Sequence, residues 1–342
     1  MNLKQVAEQA NSFLSQVFTQ LDQVQFTLEK HWHIDHLCYR TSTEEEYRAT
    51  KKTFENFSQL LIESEVNGRL ISTFKLEKPL VHRGWQIDLI ELPAPKNGKI
   101  TPSGFEHFEV VCDLPFDELK RRYSGFTFSE SGLKKDFNQE LEISFDSFAV
   151  KFHHLSLESV IHLEANEPVF SALKKSNVLI DLKHLSPVVA GTFPLNINVA
   201  GSDIDVLICG NNLREMKSLL IQKYGSWMNF QCREMSVQGE ETILSSFSFQ
   251  GIDFEIFGQK KPSIQQTGYL HFLIEERLLK IGGPIFQNQI KTAREQGLKT
   301  EPAFAQVLGL QGDPYQQLLL LQRKTHEELS ALFAFVEPPL AR

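Results

Sequence analysis

The sequence predicts an α+β protein built as two domains. Three observations carry this. At 342 residues the chain exceeds the ~100–200 residues of an ordinary domain. Between residues 34 and 154 a strand–helix–strands unit occurs twice in succession. After Pro168 the pattern changes to a short run of strands and helices that ends in a long helical stretch. The expected domains are residues 1–167 and 168–342.

The composition narrows the class. Apolar residues make up 41% and charged residues 23%, which excludes a disordered chain, a collagen-like chain and a disulfide scaffold. A net charge of −8 argues against sequence-independent binding to duplex nucleic acid. The four cysteines (Cys38, Cys112, Cys209 and Cys232) form no CxxC pair, and three sit inside apolar runs. They read as reduced core residues of a cytoplasmic protein. The N-terminal stretch has polar residues too often for a secretory signal, and apolar runs such as Leu318–Leu321 are far too short to span a membrane.

The elements follow in order. Residues 3–24 place Leu3, Val6, Ala10, Phe13, Leu14, Val17 and Leu21 on one stripe, which is an amphipathic helix. IDHLCYR (34–40) reads as a strand, and residues 41–64 read as a helix opened by hydroxyl and acidic residues. RLISTFKLEKPL and WQIDLIEL alternate with period 2, as strands do, and the loop PAPKNGKITPSG closes the first unit. FEHFEVVCDL, PFDELKRRYS, FTFSE, LEISF and FAVKFHH repeat the order of strand, helix and strands. In the second half, VFSALKKSNVLIDLKHL is helical, INVAGSDIDVLIC a strand, NNLREMKSLLIQKYGS a helix, and MNFQCREMSV, ETILSSFSF and GIDFEIFG are strands. From Ser263 onward the pattern is helical, with breaks at Gly282-Gly283, Gly297, Gly309 and Gly312–Pro314. The 27 phenylalanines, against 3 Trp and 6 Tyr, are expected to wall two clefts through FEHFEVV, FTFSE, FSF and FEIF.

Two constellations carry chemistry. His36 and His107 hold matching places in the first strands of the repeated units. Glu91 ends the last strand of the first unit, and His153 is expected at the equivalent place in the second. Two imidazoles, a carboxylate and a fourth group suit Zn²⁺, Mn²⁺, Fe²⁺ or Ni²⁺ with a position open to a small-molecule substrate. The plain alternative is a set of strand histidines satisfied by hydrogen bonds. The run His31-Trp32-His33-Ile34-Asp35-His36 also spells HxHxDH, the pattern of metallo-β-lactamase-type hydrolases. Here it follows a helix and enters an apolar strand with no Gly after it, which speaks against that use.

In the second half, Gly191-Thr192 precedes Gly201-Ser202-Asp203-Ile204-Asp205. On a strand Asp203 and Asp205 share a face, where two carboxylates repel unless a divalent cation lies between them. Glu255, with Asp253 as the fallback, supplies a third acid. Three carboxylates on neighbouring strands suit Mg²⁺ and in-line displacement at an NTP, with Gly191, Thr192, Gly201 and Ser202 letting backbone N–H groups approach phosphate. Lys299, and secondarily His271, are candidate phosphate contacts. The plain alternative is a solvated DxD at a strand end.

Two resemblances add to this. HIDHLCYRTSTEEEYRATKK, WQIDLIELPAPK, GFEHFEVV and VKFHHLSLESVI make residues 1–167 resemble the YecM-like branch of the vicinal oxygen chelate superfamily. That resemblance implies paired βαβββ modules around a divalent metal at His36, Glu91 and His107, with His153 the weakest assignment. GTFPLNINVAGSDIDVLI, FEIFGQ and KTEPAFAQVLGLQGDPY make residues 168–340 resemble the nucleotidyltransferase superfamily of polymerase-beta type. It implies a mixed sheet whose metal-binding acids are Asp203 and Asp205, with Glu255 third. Thr192 replaces the usual Ser and keeps the hydroxyl. The expected function is a bifunctional metal-dependent protein, the alternative a binding or regulatory protein that uses both folds without turnover.

Overall fold

A computed structural model describes residues 2–96 and 101–335. Part of the PAPKNGKITPSG loop (97–100) and the end of the expected helical region (336–342) lie outside the described residues. The chain forms two compact units. The first comprises Met1–Cys112, Phe116–Lys135 and Gln139–Leu157; the second comprises Asp113–Pro115, Asp136–Asn138 and Glu158–Arg342.

The first unit opens with α1 (Leu3–Gln23), started by a capping box in which the Asn2 side chain accepts from Gln5 N–H. Its stripe of Val6, Ala10, Leu14 and Val17 is wholly buried. Then come β1 (His33–Arg40), α2 (Glu44–Phe54), β2 (Ser58–Val66), β3 (Arg69–His82), β4 (Trp85–Pro93), β5 (Gly104–Val111), α3 (Phe116–Arg122), β6 (Phe128–Ser129), β7 (Glu140–Ser144) and β8 (Ala149–His153). One sheet holds all eight strands in the order β2-β3-β4-β1-β5-β8-β7-β6. β1 runs antiparallel to β5 at the centre, and each is flanked by a parallel partner, β4 and β8. The two βαβββ halves are therefore related by a pseudo-twofold between β1 and β5.

One expected element changes. The helix read over 41–64 stops at Phe54, and Ser58–Val66 is a strand. The Asn56 side chain donates to the Lys52 and Thr53 carbonyls and ends the helix, after which Leu60 pairs with Phe74 of β3.

Strand alternation sorts the sheet into two faces. Leu37, Ile90, Phe108, Val150 and Phe152 form the apolar face and are fully buried. Phe18 of α1 packs onto that face with its ring 6.2 Å from Phe108. His36, Cys38, His107, Glu109, Glu91 and Lys151 fall on the other face through the registers His36↔Glu109, Cys38↔His107, Cys38↔Glu91 and Glu109↔Lys151.

The second unit carries α4 (Leu157–Ala165), α5 (Glu167–Lys175), α6 (Val178–Asp181), β9 (Val188–Ala190), β10 (Ile204–Cys209), α7 (Leu213–Tyr224), β11 (Met228–Val237), β12 (Glu240–Phe249), β13 (Ile252–Gln259), α8 (Thr267–Glu295), α9 (Thr300–Leu308), α10 (Pro314–Leu321) and α11 (His326–Ser330). Its mixed sheet has the order β11-β12-β13-β10-β9, with β10 and β13 parallel. The expected strand over 197–209 shortens to β10. Residues 197–203 are irregular because the Ser202 hydroxyl accepts from Val199 N–H in a local turn. The expected break at Gly282-Gly283 is a kink inside α8: Gly283 adopts φ 66° and ψ −166°, and Pro284 follows.

The phenylalanines answer to period 2. Phe108 and Phe254 alternate with His107, Glu109 and Glu255, so they pack the core behind the polar faces instead of walling clefts. Phe254 stacks on Phe247 at 5.2 Å, and both are almost fully buried.

Candidate functional site

In the first unit, His36 of β1, His107 of β5 and His153 of β8 are nearly completely buried, with 3%, 5% and 2% of their surface exposed. Each Nδ1 faces an oxygen acceptor. His36 meets the Asp35 carboxylate at 2.9 Å, His107 the Glu106 carboxylate at 3.0 Å, and His153 the Leu155 carbonyl. With Nδ1 donating to these oxygens, each Nε2 is the ring atom turned toward the interior of the cluster. Each Nε2 is buried without a hydrogen bond. All three face one carboxylate, that of Glu109: His107 Nε2 lies 3.3 Å and His36 Nε2 3.6 Å from Oε1, and His153 Nε2 lies 3.5 Å from Oε2. Lys151 Nζ is 3.0 Å from the same Oε1.

The electrostatics match this geometry. Burial alone pushes the His36 imidazole down, yet the Glu109 and Asp35 carboxylates lift it to about 10. Burial also opposes charge on His107, but Cys38, Glu106 and Glu109 carry it well above its usual value. Burial raises Glu109, and Lys151, His36 and His107 outweigh it, holding the carboxyl well below the ordinary range. The site is a buried cluster in which the Lys151 ammonium and the imidazoles balance the Glu109 carboxylate.

Each sequence-named residue can now be placed. Donor atoms of His36, Glu91 and His107 lie within 4.8 Å of one another, and those of Asp35, His36 and His153 form a second such group. His153 is not the counterpart of Glu91. With His36 matched to His107, Glu91 pairs beside Cys38 and Lys151 pairs beside Glu109, so Lys151 holds the matching place. His153 lies two residues further along the same face and reaches Glu109 from there. Glu109 went unread in the sequence, although its signal was present: in FEHFEVV it stands two residues after His107 and so shares its face. Of the HxHxDH run, Asp35 orients His36 and accepts Leu157 N–H at 2.8 Å, while His33 Nε2 is 3.9 Å from Asp35.

In the second unit, donor oxygens of Asp203, Asp205 and Glu255 lie within 4.8 Å of one another. Asp205 and Glu255 are direct register partners of β10 and β13. Burial, then Asp203, Glu255 and Glu301, drive the Asp205 carboxyl well above its usual range. Burial and Asp203 raise Glu255 likewise. Gly191 follows β9 with φ +77°, and a Cβ built there would lie 1.9 Å from Asp205 Oδ2, so only glycine admits this approach. Thr192 is buried. Gly201 is open, and the Ser202 hydroxyl is engaged by Val199. Asp253 is exposed and accepts from the Ser248 hydroxyl.

Lys299 caps the start of α9, where its charge acts on Asp203, Glu255 and Glu301. His271 is structural: Nε2 meets the Tyr315 carbonyl at 2.9 Å and Nδ1 meets Glu301 at 3.2 Å. Two further charged groups stand behind the cluster. Glu275 is buried one helical turn from His271, and burial, Glu301 and Asp205 push its carboxyl well up. The Arg294 guanidinium donates to the Ile197 carbonyl and feels Glu275, Asp203, Asp205 and Glu301.

Comparison with known proteins follows the two units. Residues 2–145 match the family described as YecM protein, and residues 171–321 match the one described as Domain of unknown function (DUF4269). The chain is similar to Protein YecM of Escherichia coli (strain K12), with 29% identity over 147 residues, 39% of this chain and 77% of that one. It is also similar to an uncharacterized protein of Haemophilus influenzae (strain Rd), with 38% identity over 86 residues. That match spans 25% of this chain and 44% of the relative. A solved structure, the Cid1 poly(U) polymerase with MgGTP bound, matches with a TM-score of 0.30 and 12% identity over 49% of this chain and 50% of that one.

Proposed function

We propose that this chain is a bifunctional metal-dependent protein, with residues 1–167 and 168–342 as its two working domains. The second domain transfers a nucleotidyl group from an NTP to an acceptor oxygen. The first holds a divalent ion of the Zn²⁺, Mn²⁺, Fe²⁺ or Ni²⁺ class and acts on a small molecule. The observation that supports the transferase reading most is the convergence of Asp203, Asp205 and Glu255 within 4.8 Å. Three carboxylates crowded on paired strands repel, and a divalent cation is the partner that relieves them.

In this reading Asp203 and Asp205 would hold Mg²⁺, with Glu255 as the third acid. Bound there, Mg²⁺ neutralises triphosphate charge. Gly191 keeps side-chain bulk away from Asp205, so backbone closes on the carboxylate. The open backbone at Gly201-Ser202 suits phosphate approach, and Lys299 offers a point charge beside the acids. As the acceptor oxygen bonds to the α-phosphorus, the bond to pyrophosphate breaks and pyrophosphate leaves.

In the first domain His36, Glu91, His107 and His153 are the assigned donors. The buried Nε2 atoms of the three histidines fit an imidazole-binding cation. Among the described residues no helix is long and apolar enough to cross a membrane. The four free cysteines support placing the protein in the cytoplasm, and neither domain is assigned duplex nucleic acid as a partner.

The test is a screen of labelled NTPs with Mg²⁺ or Mn²⁺, run on the wild type, Asp203→Asn and Asp205→Asn. Transfer by the wild type that both variants lose is expected. A wild type that neither binds nor turns over any NTP removes the transferase half. Metal analysis of His36→Ala and His107→Ala tests the other half, and unchanged content in both removes it.

A further inference from the structure

The loop between β9 and β10, residues 191–203, carries Gly191-Thr192 at one end and Asp203 at the other. It belongs to no helix or strand. Inside it, Ile197 N–H donates to the Thr192 carbonyl at 3.1 Å and Ser202 N–H to the Val199 carbonyl at 3.0 Å. Its middle is gripped from outside by α8. Gln287 Nε2 donates to the Leu195 and Asn196 carbonyls, each at 3.3 Å. Lys291 Nζ donates to Asn196 Oδ1 at 3.4 Å, and the Arg294 guanidinium donates to the Ile197 carbonyl. Gln287, Lys291 and Arg294 are spaced i, i+4, i+7, so one helix face meets three consecutive loop residues. Phe286, Ile290 and Ala293 of the same half-helix are buried and anchor it.

This half of α8 takes its own direction. Gly283, at φ 66° and ψ −166°, has a conformation that essentially only glycine adopts, and Pro284 opens the new half-helix without an N–H to leave unpaired. Arg294 also does more than hold a carbonyl. Its charge acts on Asp203, Asp205, Glu275 and Glu301, and its Nε is buried without a hydrogen bond. A guanidinium and a divalent cation placed near the same acids compete for their negative charge.

We infer that residues 284–295 of α8 are a clamp on the loop between β9 and β10, with Arg294 as its positioning residue: Arg294 fixes the loop that bears Asp203 and offsets part of the acid charge until a divalent ion binds. The inference rests on the transferase reading and extends it to residues that act through the loop.

The test uses the full-length, metal-free protein as wild type, Arg294→Gln, Arg294→Lys and Gln287→Ala. Hydrogen exchange read by mass spectrometry is expected to speed up about tenfold over residues 192–203 in Arg294→Gln and Gln287→Ala, as loss of a holding hydrogen bond predicts. Exchange in β12 is expected to stay as in the wild type, which also shows that each variant is folded. Mn²⁺ affinity, read by electron paramagnetic resonance, is expected to tighten about threefold or more in Arg294→Gln, because a competing charge is gone. It is expected to stay within about twofold of the wild type in Arg294→Lys, which keeps the charge, and in Gln287→Ala, which removes none. A merely structural arginine would not tighten Mn²⁺ binding. Unchanged loop exchange in both Arg294→Gln and Gln287→Ala overturns the clamp. Mn²⁺ affinity that is unchanged or weaker in Arg294→Gln overturns the part given to Arg294. A wild type that takes up no Mn²⁺ overturns the transferase reading, and loop exchange still decides the clamp.

Discussion

Asp205 and Glu255 stand side by side as register partners on the parallel strands β10 and β13. Two acids held together in this way are unfavourable in the metal-free protein. Burial and the neighbouring acids raise both carboxyls, Asp205 the more strongly. Asp205→Asn is expected to relieve the repulsion and raise the melting temperature of EDTA-treated protein by about 2–4 °C, the shift that ~1 kcal/mol produces in a unit of this size. The same variant should lose the further stabilisation that Mn²⁺ confers on the wild type. A melting curve that responds equally to Mn²⁺ in both proteins counts against the site.

Gly191 offers a second handle on the same carboxylate. Its φ of +77° and the 1.9 Å approach of a built Cβ to Asp205 Oδ2 leave no room for a side chain. Gly191→Ala should destabilise the protein by at least ~1–2 kcal/mol from the left-handed backbone alone. Urea unfolding would read this as a lower midpoint, and an unchanged midpoint contradicts the geometry.

Asp35 tests the orientation of His36. Its carboxylate takes the Nδ1 proton, so Asp35→Asn presents an amide N–H there and favours the wrong tautomer. Co²⁺ affinity, titrated by calorimetry, is expected to fall about 10–100-fold, the usual penalty for losing such a partner. An affinity within twofold of wild type would refute the role.

The acid limb of stability has a named contributor. Lys51, Ser72 and Tyr47 all bond Glu63, with Tyr47 at 2.9 Å and Ser72 at 2.8 Å, and they hold its carboxyl below the ordinary value. A lowered carboxyl binds fewer protons in the folded than in the unfolded state. Its stabilisation is therefore present above the unfolded pKa and lost as pH falls through the folded one. Glu63→Gln should flatten that loss in denaturant midpoints measured from neutral to strongly acid pH.

Glu275 runs the other way. Burial first, then Glu301 and Asp205, push its carboxyl well up. Between the ordinary carboxylate range and its raised value the folded state keeps a proton that the unfolded state releases, so stability falls as pH rises. Glu275→Gln should remove that slope in metal-free protein. Parallel slopes in the two proteins would show that Glu275 does not titrate this way.

Much of this was legible along the chain. The stripe of α1, the repeated strand–helix–strands units and the strands around FEIF follow from periodicity, because local burial imposes the period. His36, Asp203, Asp205 and Glu255 were legible as rare polar residues in apolar strands. The helix read across Ser58–Val66 failed because Leu60, Leu61 and Ile62 suit either period, and pairing with β3 decided between them. Phe108 and Phe254 were misplaced because composition says nothing about which side of a strand a ring takes.

What the sequence alone determined is the class of most elements and the identity of several groups able to do chemistry. Only the tertiary structure decided which of those groups meet. Glu109 stands among three histidines, and Lys151 stands where Glu91 has its twin, because sheet register brings β1, β5 and β8 side by side. Register is set by packing over the whole sheet, and a slip of one residue would turn every one of these side chains to the opposite face.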